Sequence, residues 1–397
     1  MILKLGEGIV FVTGFKCSAI YNFKNGKVYS INEYGTNLIT NYLSSTSKII
    51  FSEDNFLKKV MNILNIPNIN GKIYTVPMNS EISLEFAWLE ITQMCNSRCI
   101  HCYEGAEHKE VKECLSFDEW EKVICELNSI GCKNIQFIGG EPTIYEKLPE
   151  LVELASDLGI NKISIFTNLQ NINERLFDSI VNNKVDIHFS IYGSCGDTHD
   201  KITQINGSFK KMIYNIERLL KKKVSITAHV VIMKENENEK DKIYELLSKI
   251  GIKAIRYDEI RKVYGGNQED HLVKKSNLNM YKPNFFADEN WFNRAFYYNT
   301  CWYGKCVIST NGDIYPCEFE RNILYGNIRK DSLSNILKNE TTKKSWQWNF
   351  SMVNFCKDCE FRFACRDCRP LAYAENGNMA EKNPRCKYNP YLGLWDA

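Results

Sequence analysis

Three cysteines crowd one short stretch of this 397-residue chain, Cys95-Asn-Ser-Arg-Cys99-Ile-His-Cys102-Tyr103. Thiolates are soft ligands that suit iron–sulfur clusters and zinc. A structural metal site is usually closed by four side chains. Three thiolates can hold three irons of a four-iron cluster and leave the fourth open to bind something else. The loop therefore points to chemistry at an open iron, with a zinc knuckle as the competing reading. Eight more cysteines lie near the C-terminus: Cys301, Cys306 and Cys317, then Cys356-x2-Cys359-x5-Cys365-x2-Cys368, and Cys386. Eight make two sets of four, enough for two closed clusters or two zinc sites. The remaining Cys17, Cys114, Cys125, Cys132 and Cys195 have no partner at ligand spacing and read as small hydrophobes.

The elements that must position the first loop can be read around it. Phe86-Ala-Trp-Leu-Glu-Ile-Thr92, directly before it, is strand-like. Ser116 and Glu119 form a capping box, and Trp120, Val123, Ile124 and Leu127 follow at helical spacing. Strand-like runs recur at 134–138, 161–167, 185–190, 224–232 and 252–257, with helical stretches near 146–158, 173–183, 208–222 and 239–250 between them. Six β/α units in alternation predict an α/β fold, a parallel sheet with helices outside. Sites in such folds sit at the C-terminal ends of strands. The cysteine loop, Gly139-Gly140-Glu141-Pro142, Thr167 and Ser190 all stand at such ends.

In chain order, the cysteine run, Gly139-Gly140-Glu141-Pro142, Ile165-Phe-Thr167-Asn168 and His188-Phe-Ser190-Ile-Tyr192 resemble the successive motifs of the radical S-adenosylmethionine (SAM) enzymes. The resemblance implies a partial (β/α)6 barrel and a [4Fe-4S] cluster on Cys95, Cys99 and Cys102 whose open iron is chelated by SAM. It implies a 5′-deoxyadenosyl radical that takes hydrogen from an unactivated carbon. It also implies SAM contacts at Tyr103, Gly139, Gly140, Glu141, Thr167 and Ser190. One position departs: Leu169 stands where the family usually has glycine.

The C-terminal cysteines, with Gly304-Lys305, Asn311-Gly312-Asp313 and Tyr315-Pro316-Cys317, resemble the SPASM extension of peptide-modifying radical SAM enzymes. Carried over by order, Cys301, Cys306, Cys317 and Cys368 hold a first auxiliary cluster. Cys356, Cys359, Cys365 and Cys386 hold a second, giving three [4Fe-4S] clusters in all. Arg366-Asp367 leaves two residues between the last paired cysteines where the family usually has three, which puts the individual ligand assignments in question.

The first eighty residues look separate. Ile9–Thr13, 17–21 and Lys27–Ile31 read as strands, with an Asn25-Gly26 hairpin turn between the last two, and helical runs follow at 33–43 and 54–65. This resembles the small winged-helix-like recognition element that binds leader peptides of ribosomally made natural products by strand addition, here at the edge 27–31. A generic α+β cap is the alternative. The expected domains are 1–80 for leader recognition, 81–265 for the radical SAM core and 266–397 for a linker and the SPASM region.

A net charge of +2 gives no electrostatic footprint for nucleic acid. No signal-peptide or membrane-spanning run is evident, and sixteen cysteines suit metal ligands in a reducing cytoplasm better than disulfides. The resemblance then implies a sactipeptide- or ranthipeptide-like maturase that joins cysteine sulfur to carbon in a leader-bearing precursor peptide. Its reductant would be a flavodoxin or ferredoxin. Carbon–carbon cross-linking and formylglycine formation as in anaerobic sulfatase maturation are alternative reactions. A metal-stabilised peptide-binding protein is the alternative outside the enzymes. The base that takes the substrate proton is not legible; Asp258 and Glu259 are candidates near the barrel mouth. His101, His188, His199 and His229 read as structural groups.

Overall fold

The computed structural model describes residues 1–44, 55–69, 71–78, 83–103, 105, 113–262, 269–273, 283, 285–366 and 368–395. It forms two compact units, one of Met1–Glu81, Asn279–Tyr303 and Ser345–Ala397, the other of Ile82–Leu278 and Gly304–Lys344.

In the first unit, β1 (Ile2–Gly6), β2 (Ile9–Thr13), β3 (Ser18–Asn22), β4 (Lys27–Ile31) and the short β5 (Lys72–Ile73) form an antiparallel sheet in the order β4-β3-β2-β1-β5. Helices α1 (Glu33–Ser44) and α2 (Asn55–Leu64) follow β4. Strands β1 and β5 extend the three that the sequence predicts. Side chains alternate across a sheet, and here both faces are buried. Leu3, Ile9, Phe11, Ile20 and Ile31 pack with Ile39 of α1 and Leu57 and Val60 of α2. Val10, Val12, Ala19, Tyr21 and Val28 pack with Phe292 and Ala295 of a helix, Glu289–Tyr297, and with Phe361 and Phe363 of the C-terminal cysteine region. The N-terminal strands are therefore not the separate module that the sequence suggests. β2 and β3 are buried along almost their whole length and have no polar face to turn to water.

β4 is an edge strand, but the edge expected over 27–31 is partly taken. Val28 N–H donates to the Phe285 carbonyl and Ala287 N–H to the Gly26 carbonyl, both at 2.8 Å. Gly26 sits at φ +71° beneath the Phe286 ring, which an added Cβ would meet at 2.1 Å. Ser30, two residues beyond Val28 and turned the same way, makes no backbone hydrogen bond on that edge among the described residues. The open part of the edge is its Ser30 end.

In the second unit, β6 (Phe86–Thr92), β7 (Asn134–Gly139), β8 (Lys162–Thr167), β9 (Asp186–Ile191), β10 (Ile226–Ile232) and β11 (Ala254–Glu259) are parallel, each beside the next. Their connections carry α3 (Phe117–Ser129), α4 (Leu148–Asp157), α5 (Glu174–Asn182), α6 (Gly196–Thr203), α7 (Ser208–Lys221) and α8 (Lys240–Lys249). The capping box forms as expected: Ser116 N–H donates to Glu119 Oε2 and Glu119 N–H to Ser116 Oγ. The extra helix α6 has a single aliphatic residue, Ile202, and so no apolar periodicity to betray it. On the far side of β6 the sheet continues with parallel β12 (Lys305–Ile308), then antiparallel β13 (Asp313–Tyr315) and β14 (Gly326–Asn327). The result is α/β with an open nine-stranded sheet, not a closed barrel. One face is apolar and fully buried, with Leu89, Phe137, Ile165, Phe189, Ala228 and Val230. The other carries Trp88, Gln136, Ser164, His188 and His229. Among the described residues no helix is long and apolar enough to cross a membrane.

Candidate active site

β6 ends at Thr92 and hands the chain to the cysteine loop. The end of β7 lies directly against it: Gly140 N–H donates to Thr92 O and Glu141 N–H to Met94 O, both at 2.8 Å. A Cβ on Gly139 would stand 2.1 Å from Thr92 O, and one on Gly140 2.3 Å from Met94 O. Gly139 also has φ +143°. The backbone that these glycines admit is thus that of the cysteine loop.

Glu141 is buried, and its carboxylate is filled by the chain. Oε1 accepts from Thr143 N–H (3.1 Å), Thr143 Oγ1 (2.7 Å) and Thr167 Oγ1 (2.6 Å); Oε2 accepts from Asn168 N–H (2.7 Å). Burial pushes the Glu141 carboxyl up while these donors oppose the shift. Glu141 therefore ties the end of β8 to the end of β7 and brings Thr167 to the loop. The next turn explains the departure at Leu169. Leu169 is fully buried at φ +57°, its N–H held by Thr167 Oγ1 (2.9 Å) and its carbonyl by Asn215 Nδ2 (2.8 Å). A left-handed leucine costs about 1–2 kcal/mol, which these bonds and the burial of its side chain offset.

Other side chains fasten the cysteine loop. Asn168 Nδ2 donates to Asn96 Oδ1 and Gln170 Nε2 to Ser97 Oγ, both at 2.6 Å. Arg98 and Ile100 N–H groups donate to the carbonyls of Thr203 and Ile202 in α6, at 3.0 and 3.1 Å. Sequence reasoning missed Asn96, Ser97 and Gln170. Adjacency to motif residues was their only signal. It also gave no role to Tyr192, whose phenol hydrogen-bonds both Ser190 and Cys99.

Cys95 and Cys99 lie close enough to their neighbouring thiols for these to disfavour their ionisation. Burial, opposed by the Ser97 N–H and reinforced by Glu141 and Cys102, pushes Cys95 up to about 12. Burial, then Cys95 and Cys102, raises Cys99 further. Such thiolates are unstable alone, and cationic iron among them reverses that balance. The enclosed trio therefore fits a cluster. His101 shares the loop but is turned elsewhere: its ring packs on Tyr192 at 4.6 Å, and its electrostatic neighbours are His271 and Glu235. Tyr103 packs against Phe319 at 4.9 Å and bonds Glu318. Of the candidate bases, Asp258 is paired with Arg261 and accepts Glu259 N–H, and Glu259 is buried.

The C-terminal cysteines divide. Cys356, Cys359, Cys365 and Cys386 line one pocket in the first unit, walled also by Phe361, Tyr388 and Trp395. Burial, with Glu360, Cys356 and Cys386, raises Cys359 well above the usual thiol value. This set of four sulfurs also fits a cluster. Cys301 and Cys368 belong to the same unit, and Cys306 and Cys317 to the other. Cys306 is fully enclosed on β12 in register with Ala87 of the apolar face, and its electrostatic neighbour is Cys132. Among the described residues no group of three or more Cys, His, Asp or Glu converges tightly enough to hold one metal ion. A four-iron cluster asks for less convergence, since each thiolate binds a different iron.

Comparison with known proteins agrees with this chemistry. Residues 89–247 match the radical SAM superfamily and residues 301–360 the SPASM iron–sulfur cluster-binding domain. An AdoMet-dependent heme synthase of Methanosarcina barkeri is 26% identical over 77% of this chain and 96% of its own. A PqqA peptide cyclase of Bradyrhizobium diazoefficiens is 24% identical over 76% of this chain and 86% of its own. The crystal structure of Streptococcus suis SuiB bound to precursor peptide SuiA shares the fold with a TM-score of 0.61 at 13% identity, over 97% of this chain and 100% of that one. The first matched span begins on β6 and contains the thiol loop that the two glycines cradle, so this chain carries a radical SAM domain followed by a SPASM domain.

Proposed function

We propose that the protein cross-links a ribosomally made precursor peptide in the cytoplasm, joining a cysteine sulfur to a carbon as a thioether. When bound, SAM and three four-iron clusters supply a deoxyadenosyl radical for hydrogen abstraction and an acceptor for the electron that oxidative bond formation releases. Cys95, Cys99 and Cys102 would hold the SAM cluster, with Tyr192 bonding one of its thiols. Tyr103, Gly139, Gly140, Thr167 and Ser190 would flank SAM, with Glu141 holding Thr167 in place. Cys356, Cys359, Cys365 and Cys386 would hold one auxiliary cluster, and Cys301, Cys306, Cys317 and Cys368 the other. A flavodoxin or ferredoxin is the reductant.

The N-terminal sheet carries the peptide assignment. A radical enzyme for a small molecule has no need of an edge strand whose Ser30 N–H makes no backbone hydrogen bond among the described residues, and a leader peptide adds to such an edge. The likeness to SuiB, at 97% of this chain, takes in that sheet. The similarity to heme synthases favours a porphyrin as the second reading. Anaerobic co-expression with a neighbouring cysteine-rich precursor, read by mass spectrometry, tests both. A pair of hydrogens lost per cross-link, with matching loss of alkylatable thiols, is expected. Retained thiols exclude thioethers, and porphyrin turnover without peptide modification overturns the assignment. Ser30→Pro removes this backbone N–H on an exposed edge position, where proline is tolerated. Leader affinity should fall about three- to tenfold with an unchanged melting temperature; undiminished affinity places the leader elsewhere.

A further inference from the structure

A band of polar side chains crosses the open face of the nine-stranded sheet. Part of it satisfies itself: Trp88 Nε1 donates to Gln136 Oε1 (3.1 Å) and Gln136 Nε2 to Ser164 Oγ (3.2 Å). Farther along, His188 Nδ1 and His229 Nε2 share one hydrogen bond at 2.9 Å, with Phe166 packed on both rings at 6.2 and 4.8 Å. Strand register sets them on one face, since Phe166 pairs with His188 and Ser190 with His229. Each ring keeps a second nitrogen that makes no hydrogen bond among the described residues, and neither nitrogen is a sealed orphan atom. A purely structural pair, the reading that the sequence favours, would have those nitrogens tied down as Gln136 is.

We infer that the His188–His229 pair accepts the proton that the substrate thiol loses when its sulfur bonds to carbon. This rests on the cross-linking function proposed above. Ser190, one of the expected SAM contacts, lies on the same face two residues nearer the C-terminal end of β9, about 7 Å along the strand. A substrate group held against Ser190 is therefore one step from the imidazoles. The balance closes as follows: the substrate C–H gives its hydrogen atom to the deoxyadenosyl carbon, the S–C bond forms, the S–H proton passes to a free imidazole nitrogen, and one electron goes to an oxidised iron–sulfur cluster. Once that electron has gone, the S–H is that of a protonated thioether, a far stronger acid than a thiol. A weak base suffices to take it.

The surroundings keep both rings in the accepting form. Burial, then Arg256, lowers His188 to about 4 against the opposing pull of Asp186, with Lys162 adding slightly. Burial, then His188 and Arg256, lowers His229 to about 3. Asp186 itself is paired with Lys162 at 2.8 Å. The pair is thus neutral throughout the physiological range. In either tautomer one outer nitrogen carries an N–H and the other a lone pair, and a proton taken at the latter can be shared across the inner hydrogen bond.

The double variant His188→Gln/His229→Gln keeps polar side chains on both strands but leaves no ring to accept a proton, whereas either single change leaves one imidazole able to do so. With a deuterated precursor, deuterium transfer into 5′-deoxyadenosine should continue at near wild-type rate while cross-linked product falls about 100-fold. Equal loss of both makes the pair a positioning element and overturns the inference, as does undiminished cross-linking. If the double variant loses its iron, His188→Asn/His229→Asn takes its place in the same comparison. A readout independent of turnover is ¹⁵N-histidine NMR of the precursor-free holoenzyme. Two rings that stay neutral from pH 8 to pH 5 and share one proton are expected; separate titrations near pH 6.5 overturn the pair. Failure of the wild type to modify any precursor overturns the cross-linking function and this role with it. Failure confined to the variants overturns this role alone.

Discussion

Alanine at Cys95, Cys99 and Cys102 together abolishes reductive SAM cleavage, and the purified protein loses the iron of one cluster. The expectation follows from the donor set. Three thiols share one loop, burial raises two of them strongly, and the nearest imidazole, His101, is turned toward Tyr192, His271 and Glu235. Among the described residues no other side chain on the loop can replace a lost sulfur. Single substitutions should be nearly as severe as the triple, because a two-thiolate site leaves two irons without protein ligands. His101→Ala should keep the cluster. The measurement is 5′-deoxyadenosine formed under dithionite in the reconstituted protein, with iron counted per chain. Cleavage that persists in the triple variant removes the loop from the mechanism.

Tyr21→Ala unfolds the unit that carries Cys356, Cys359, Cys365 and Cys386. Tyr21 is fully buried, its hydroxyl donates to the Glu360 carbonyl at 2.9 Å, and its ring meets Phe292 edge-on at 5.0 Å and Phe363 at 6.5 Å. Emptying such a site costs about 3–5 kcal/mol, and the orphaned carbonyl adds about 1 kcal/mol. A domain stable by about 5–15 kcal/mol has little left. Glu360 follows Cys359 directly, so the backbone that presents that thiol loses its anchor. A lower melting temperature and loss of auxiliary iron are expected, and wild-type values for both contradict this packing. The same geometry changes how leader recognition must be probed. Deleting residues 1–77 strips Val10, Val12, Ala19, Tyr21 and Val28 from a shared core. The product should be insoluble, not merely blind to the leader, and the edge substitution at Ser30 is the usable test.

The sequence alone determined the chemistry and the alternation that frames it. Residue type and spacing make Cys95, Cys99 and Cys102 the candidate ligands, and neither depends on the fold. The capping box at Ser116 and the strands β6 to β11 are local signals that the fold keeps. Tertiary structure decided what those signals serve. Gly139 and Gly140 admit the cysteine loop, and Glu141 spends its carboxylate on Thr143, Thr167 and Asn168, because strand ends distant in sequence converge there. It also decided that β2 and β3 bury both faces, that residues 285–287 cover part of the β4 edge, and that His188 meets His229 across a strand pair. Each of these is a contact between residues far apart in the chain. Composition and periodicity report only what a segment can bury, whereas its partner is fixed when the sheets pack.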